Sequence, residues 1–515
     1  MFVNHMDFRP ITPIDLQLMK QQFTLAENGY NPFEVVSENT HNPLVALFCP
    51  DATFHSKYQI VDLYHVGTPE EKIPASIYIK FAPLLDPIHF LIGKYDKNKT
   101  LAEPKIASAY NSAYIDGFFN YLSSTLLHDH NFVHGIDFFG SLSTTQKKFR
   151  FNIEDELDYL QDSEFFMNNN GTLYELDGSP VSKASGTMQK KTKLLFSDVD
   201  EGFEVDELDD VPEEENPETE GVELMFQVGE KEDSEDDDSQ VSDSTDNSMA
   251  SFSGTSEESS YDSEQKSAFL FNFPVHMIFL EKCDGTFDEL LETQSLNEKE
   301  ISSAMMQVVF MLIVYQQAFQ FTHNDLHTNN IVFSKTTVPF LVYEYQNKFY
   351  RVPTYGRIYK MIDFGRSIYR VKDQKLCSDS FAVGGDAHSQ YNTEPFLDDQ
   401  KARLEPNPSF DLCRLGCSMY DFLFDVDKPL PTHMNEVQKT VIRWCQDDVG
   451  KNILYKKNGV ERYPNFKLYK MISRLVHHCI PSQELSQPIF AQYVVESGED
   501  AIHIDRIPKY FSSKI

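Results

Sequence analysis

The stretch FTHNDLHTNNIVF, Phe321–Phe333, places a histidine, an aspartate and an asparagine in one turn directly after a long apolar run. That run carries Ile301, Met305, Val308, Val309, Leu312, Tyr315 and Phe319 at helical spacing, an apolar surface wide enough to be buried on most sides. Ser295 and Glu298 stand at capping-box spacing in front of it, so the sequence predicts a helix that opens at Ser295 and delivers Phe321 to Asn330 at its far end. Further on, RIYKMIDFGRS (Arg357–Ser367) alternates like a strand and runs into Asp363-Phe364-Gly365. One reading of the first stretch is a polar turn after a buried helix. The other is a site of phosphoryl transfer.

In-line phosphoryl transfer needs little covalent help: a carboxylate to hold the attacking hydroxyl, oxygen ligands for magnesium, and a cation on the nucleotide phosphates. A loop of form H-x-D-x-x-x-x-N followed by D-F-G supplies the carboxylate and the ligands. His323, Asp325 and Asn330 fit the loop, and Asp363 to Gly365 fit the second motif. A cation stands at Lys80, inside the apolar strand SIYIKF. After it, Ile106 to Leu127 reads as a helix with Tyr110, Tyr114, Phe118 and Leu122 on one face.

With IYIKFAPLLDP (Ile77–Pro87), MIFLEKCDG (Met277–Gly285) and EPNPSFDLCRLGCSMYDFL (Glu405–Leu423), these motifs resemble the protein-kinase superfamily. Within it they are similar to the divergent serine/threonine-protein kinases of nucleocytoplasmic large DNA viruses. The resemblance covers roughly residues 45–150 and 268–430. It implies an α+β, bilobal protein-kinase-like fold, with a mostly β small lobe and a mostly helical large lobe. The expected organisation is an N-terminal extension at 1–45, a small lobe from 46–152 and 268–284, an acidic and largely disordered insertion at 153–267, and a large lobe at 285–515. An extra hairpin is expected at about 336–356, where LVYEYQNKFYRV (Leu341–Val352) alternates around Gln346-Asn347-Lys348.

The activity implied is ATP- and Mg²⁺-dependent phosphoryl transfer to serine or threonine of a protein substrate. Asp325 would orient the acceptor hydroxyl, Asn330 and Asp363 would hold magnesium, and Lys80 would contact the nucleotide phosphates. Asp116 is the sole carboxylate in 106–127 and takes the place of the family's helix glutamate, or is a solvated helix residue. Backbone groups of Glu281 to Cys283 would meet the adenine edge. His323, Gly365 and Asp411 would be architectural.

The chain also departs from the family. No G-x-G-x-x-G precedes Lys80, which predicts fewer close backbone contacts to phosphate. Asn324 replaces the loop arginine, so activation by loop phosphorylation is not expected. His327 stands where serine/threonine kinases carry a lysine, and Asn330 and Asp363 are 33 positions apart. Two rival readings therefore stay open. One is a pseudokinase scaffold that binds basic partners through its acidic insertion, and the other a small-molecule phosphotransferase.

Charge is unevenly distributed along the 515 residues. Asp198 to Glu264 holds 27 acidic residues and one basic residue, a net −26 of the chain's −35, leaving −9 for the remainder. That segment is too polar to offset its ordering entropy by burial. Within it, Ser234, Thr255 and Ser259 each have an acidic residue three positions on, which suits an acidophilic kinase or arises by chance. An acidic protein of this kind predicts basic protein partners and no nucleic-acid or membrane binding. Seven cysteines without a C-x-x-C pair predict a reducing compartment, and the start MFVNHMDFRP predicts no secretory leader, so a cytoplasmic setting is expected, the host cytoplasm or virion for a viral protein. Cys413 and Cys417, one helical turn apart, read as buried thiols rather than zinc ligands.

Overall fold

Strand Ser267–Glu281 organises the first half of the molecule, because its residues from Val275 to Leu280 are all buried and demand cover on both faces. It pairs antiparallel along its whole length with Phe138–Asn152. On its other side Tyr174–Leu176 pairs with its first residues and Ile77–Pro83 with its last, setting Lys80 opposite Ile278. Val35–Asn39 extends the sheet beyond Phe138–Asn152. The computed structural model describes residues 14–23, 30–39, 42–48, 57–68, 71–95, 103–154, 156–177, 266–425 and 428–512. The acidic segment Asp198–Glu264, with Ser234, Thr255 and Ser259, lies outside them.

Two boundaries differ from the sequence reading. Val35–Asn39 belongs to the sheet rather than to a separate extension, held by ladder bonds that no hydrophobic pattern announces. Residues 156–177 likewise belong to the folded sheet unit and not to the acidic insertion, since Leu160, Phe166 and Tyr174 are buried against it.

The helix expected over 106–127 is broken. A short turn, Pro104–Ala107, precedes the main helix Ser112–His130, whose Ala113 N–H donates to the Asn111 side chain and whose Ser112 N–H donates to Asp379. This helix crosses the sheet closely at Gly117, where a Cβ would lie 3.0 Å from His276 Nε2. The close approach carries Asp116, one residue earlier, toward the Lys80 strand.

The apolar run around Val308 forms the helix Glu298–Phe319. Its cap is Asn297 rather than Ser295. Asn297 Oδ1 accepts from the Lys299 and Glu300 N–H groups, and Glu300 accepts in return from the Asn297 N–H. Serine and asparagine cap almost equally well, and the path of the chain puts the asparagine at the helix start. By length and composition the helix could cross a membrane, yet it is the central core helix, with Met305 to Tyr315 all buried.

Strands Ile331–Lys335 and Arg357–Met361 pair antiparallel after it, and the hairpin Phe340–Tyr345 with Lys348–Pro353 is inserted between them. Its two-residue turn, Gln346 and Asn347, has φ of 50° and 59°, the left-handed pair that suits a twisted hairpin. Phe310 of the core helix stacks on Tyr343 with centroids 4.0 Å apart. Val494–Val495 and Ile502–His503 pair with its two outer edges. Helices Phe410–Leu423, Glu436–Trp444 and Lys467–Leu475 complete a second half in which helices alternate with small sheets. The protein is a mixed α+β fold with several sheets.

Candidate functional site

Lys80, Asp116 and Asp363 come from a strand, a helix and a turn, and meet. Lys80 Nζ lies 2.6 Å from Asp116 Oδ2 and 2.8 Å from Asp363 Oδ1. Asp116 is buried, whereas the Asp363 side chain is about one-third exposed and faces solvent. Burial alone would lower the Lys80 ammonium, but the charges of the two carboxylates outweigh it and keep it protonated well above its ordinary value. Burial pushes the Asp363 carboxyl up, and the adjoining Lys80 charge and hydrogen bond bring it below its ordinary value.

The turn itself is held from several sides. Asp363 has φ of +63°, a conformation that costs a non-glycine residue energy and persists where surroundings enforce it. The Phe364 N–H donates to Asp116 Oδ1 at 2.9 Å, and the buried Phe364 ring packs 4.6 Å from Phe119. His323 lies beneath the turn, its Nε2 3.0 Å from the Ile362 carbonyl. At Gly365 the nearest atom to an added Cβ would be Asp363 Oδ1, 3.6 Å away, so there is room for a side chain.

Asp411, buried at the start of its helix, accepts from the His323 N–H and the Asn324 N–H, both at 2.9 Å. Burial raises its carboxyl to about 6 against the pull of those two donors and of His323. Asn324 has φ of +63°, which asparagine tolerates better than most residues, and its side chain ties the loop to Arg366 O and the Tyr391 hydroxyl. Asn330 Nδ2 donates to Asp325 O at 2.9 Å and lies 3.1 Å from His327 Nε2.

Three residues around Asp325 were missed from sequence. The Tyr469 hydroxyl donates to Asp325 Oδ1 at 2.7 Å, Arg414 Nε lies 3.8 Å from the same oxygen, and the Arg366 guanidinium faces the Tyr469 ring at 5.7 Å. Burial pushes the Asp325 carboxyl up, yet the charges of Arg366, His327 and Arg414 and the Tyr469 bond hold it well below the usual carboxylate range. Arg414 stands three residues after Asp411, on the same helix face, which is a readable signal. Tyr469 is 144 residues from Asp325, and nothing in the spacing marks it.

At the expected adenine edge, the Glu281 N–H donates to Asp137 O and the Lys282 N–H to Ser76 O. The Glu281 carboxylate is bound by Lys360 and by the Asp137 N–H. Among the described residues the backbone groups of Cys283 have no partner, so of the three residues Cys283 alone keeps both backbone groups available. Its thiol is pushed up to about 11 by burial.

Asp363 Oδ2 and Asn330 Oδ1 are hard oxygen donors with no partner among the described residues, while the other polar atoms of both side chains are engaged. Magnesium takes one or two protein oxygens and fills its octahedron with waters and phosphates, so two such donors suit it. No cluster of three or more His, Cys, Asp or Glu placed to hold a metal occurs among the described residues, and the buried thiols Cys413 and Cys417 belong to the helical core.

No family model matches the chain. Over 84 residues it is 32% identical to uncharacterized protein 098R of Invertebrate iridescent virus 6, a stretch that covers 16% of this chain and 14% of that protein's length.

Proposed function

We infer that the protein is an ATP- and Mg²⁺-dependent serine/threonine-protein kinase with a divergent two-lobed kinase-like fold. The observation that carries the reading is the convergence of Lys80, Asp116 and Asp363 within hydrogen-bond distance, from three segments of which the last lies 283 residues beyond the first. On this reading the sheet around Ser267–Glu281 is the small lobe and the second half the large lobe, with Cys283 at their junction facing adenine. Magnesium would be held by Asn330 and Asp363, and would neutralise phosphate charge when bound with ATP.

The chain's own residues then have separable tasks. Lys80, fixed by Asp116, presents a desolvated ammonium to the phosphates. Asp325 accepts a hydrogen bond from the substrate hydroxyl and aims its oxygen at the γ-phosphorus. The new P–O bond forms as the bond to the β-phosphate oxygen breaks, and ADP leaves. A carboxylate held so far below its usual range is a weak base, so its main work is orientation, and the hydroxyl proton passes to it only late along the path, as the new P–O bond forms.

A second reading, a nucleotide-binding scaffold without transfer, is favoured by one observation: the Tyr469 hydroxyl already donates to one of the two Asp325 carboxylate oxygens, in competition with an acceptor hydroxyl. Titration with a fluorescent ATP analogue, with and without Mg²⁺, tests the nucleotide site that both readings share. Saturable binding that strengthens with Mg²⁺ and is lost in Lys80→Met is expected, and absence of binding ends both.

A further inference from the structure

The segment Lys451–Arg474 contains seven basic residues and one acidic residue, Glu461, a net +6 inside a chain of net −35. Its placement gives that charge a use. Tyr469 from this segment touches Asp325, and Phe466 stacks on Tyr469 with centroids 5.3 Å apart. Arg366 and Lys470 both lie within 6 Å of the Phe466 ring centre.

Upstream, Tyr455 of the loop 451–462 meets the last turns of the Phe410–Leu423 helix. Asp411 binds the backbone at His323 and Asn324, Arg414 faces Asp325, Ser418 accepts from the Thr328 N–H, and Asp421 accepts from the Tyr455 hydroxyl at 3.1 Å. These four positions form one helix face, so Tyr455 sits about 10 Å beyond Arg414, the span of about three extended residues. Lys456 and Lys457 follow Tyr455 directly and are exposed, as are Lys451 and Lys467. None of the four has a carboxylate within ion-pair distance among the described residues. Elsewhere in the described half, Lys360, Lys375, Arg403 and Arg443 pair with glutamates.

We propose that this surface is the acceptor-binding site and that it selects acidic protein segments, in which the serine or threonine is flanked by aspartate or glutamate within about three residues. The proposal rests on the kinase reading and names its substrate class. It reverses the expectation of basic partners drawn from overall charge, because the negative charge is concentrated in Asp198–Glu264 while the segment that reaches Asp325 through Tyr469 carries a net +6. Tyr455, half-buried, flanks the path of the peptide while the buried Phe466 and Tyr469 hold the segment in place, and the unpaired lysines give long-range attraction that weakens with salt.

The test uses the full-length chain and two synthetic peptides, one with a serine in a run of aspartates and glutamates and a match with lysines in their place. The ratio of their kcat/KM values is compared between wild type and Lys456→Glu/Lys457→Glu/Lys467→Glu. Competition from the chain's own acidic segment lowers both values equally and leaves the ratio intact. A ratio favouring the acidic peptide by about tenfold or more is expected, falling about tenfold in the triple variant with KM for ATP unchanged. A ratio near one, or a preference for the basic peptide, overturns the proposal while the kinase reading stands. If neither peptide is phosphorylated, the surface is judged by fluorescence anisotropy: tighter binding of the acidic peptide that the triple variant abolishes supports it, and equal binding refutes it.

Discussion

Asp116 joins two parts of the site with one side chain: its Oδ2 lies 2.6 Å from Lys80 Nζ, and its Oδ1 accepts from the Phe364 N–H at 2.9 Å. Asn120, one turn on, donates to the same Oδ1. The carboxylate therefore fixes the lysine and the turn that carries Asp363 relative to each other.

Removing it is expected to be costly. Asp116→Ala leaves the Lys80 ammonium with a single carboxylate and the Phe364 N–H without an acceptor, a loss of about 3 kcal/mol or more. Asp116→Asn keeps the Phe364 bond but not the charge, so it is expected to fold nearly as stably while binding ATP about tenfold more weakly. Urea unfolding and nucleotide titration of the two variants separate these effects.

Tyr469→Phe removes one hydroxyl from a well-packed ring. If the hydroxyl holds the place of an acceptor on Asp325, the variant is expected to phosphorylate peptides several-fold faster at low peptide concentration, with KM for ATP unchanged. Loss of one hydrogen bond to a charged group costs about 2 kcal/mol of stability. Initial-rate kinetics over a peptide concentration series check the first expectation, and thermal unfolding the second.

Asp411→Ala strips the acceptor from two buried N–H groups at His323 and Asn324. A loss of about 2–4 kcal/mol is expected. Because Asp411 touches neither nucleotide nor acceptor, kcat should fall while KM for ATP stays near the wild-type value. Steady-state kinetics below the variant's melting temperature give that split.

His134 is buried between the Tyr359 carbonyl and the Tyr343 hydroxyl, each 2.7 Å away. Burial, aided by the Lys360 charge, lowers it to about 4, so the folded protein keeps it neutral while the unfolded chain protonates it below about 6.5. Unfolding then takes up a proton in this window. The stability this residue contributes is complete above pH 6.5 and is lost as the pH falls toward 4, by about 3 kcal/mol in all. His134→Gln is expected to flatten the fall in unfolding free energy between pH 6.5 and 4. Urea midpoints across that range, compared with wild type, measure the difference.

Short-range signals were legible in the sequence and long-range ones were not. The apolar period from Ile301 to Phe319 marked the core helix, and alternation from Leu341 to Val352 marked the hairpin, because each pattern repeats within a few residues. Its edges were not legible: Val494–Val495 and Ile502–His503 cover them from about 150 residues away through backbone bonds that leave no compositional trace. The motif spacing put Asp325, Asn330 and Asp363 in view, but the surroundings of Asp325 depend on how the Tyr469 helix packs against the Asp411 helix. The capping residue shifted from Ser295 to Asn297 for a local reason, since serine and asparagine cap almost equally well and the chain path decides. Asp116 lacked a recognisable motif, and the approach of its helix at Gly117 is what brings it to Lys80.

The central claim is that Lys80, Asp325, Asn330 and Asp363 serve one phosphoryl transfer. Incubating the full-length chain with γ-labelled ATP, Mg²⁺ and a mixture of acidic and basic protein substrates, alongside Asp325→Asn and Asp363→Asn, tests it most directly. Label on serine or threonine of protein that disappears in both variants is the result the account predicts. Label that persists undiminished in both variants, or that appears solely on a small metabolite, would contradict it.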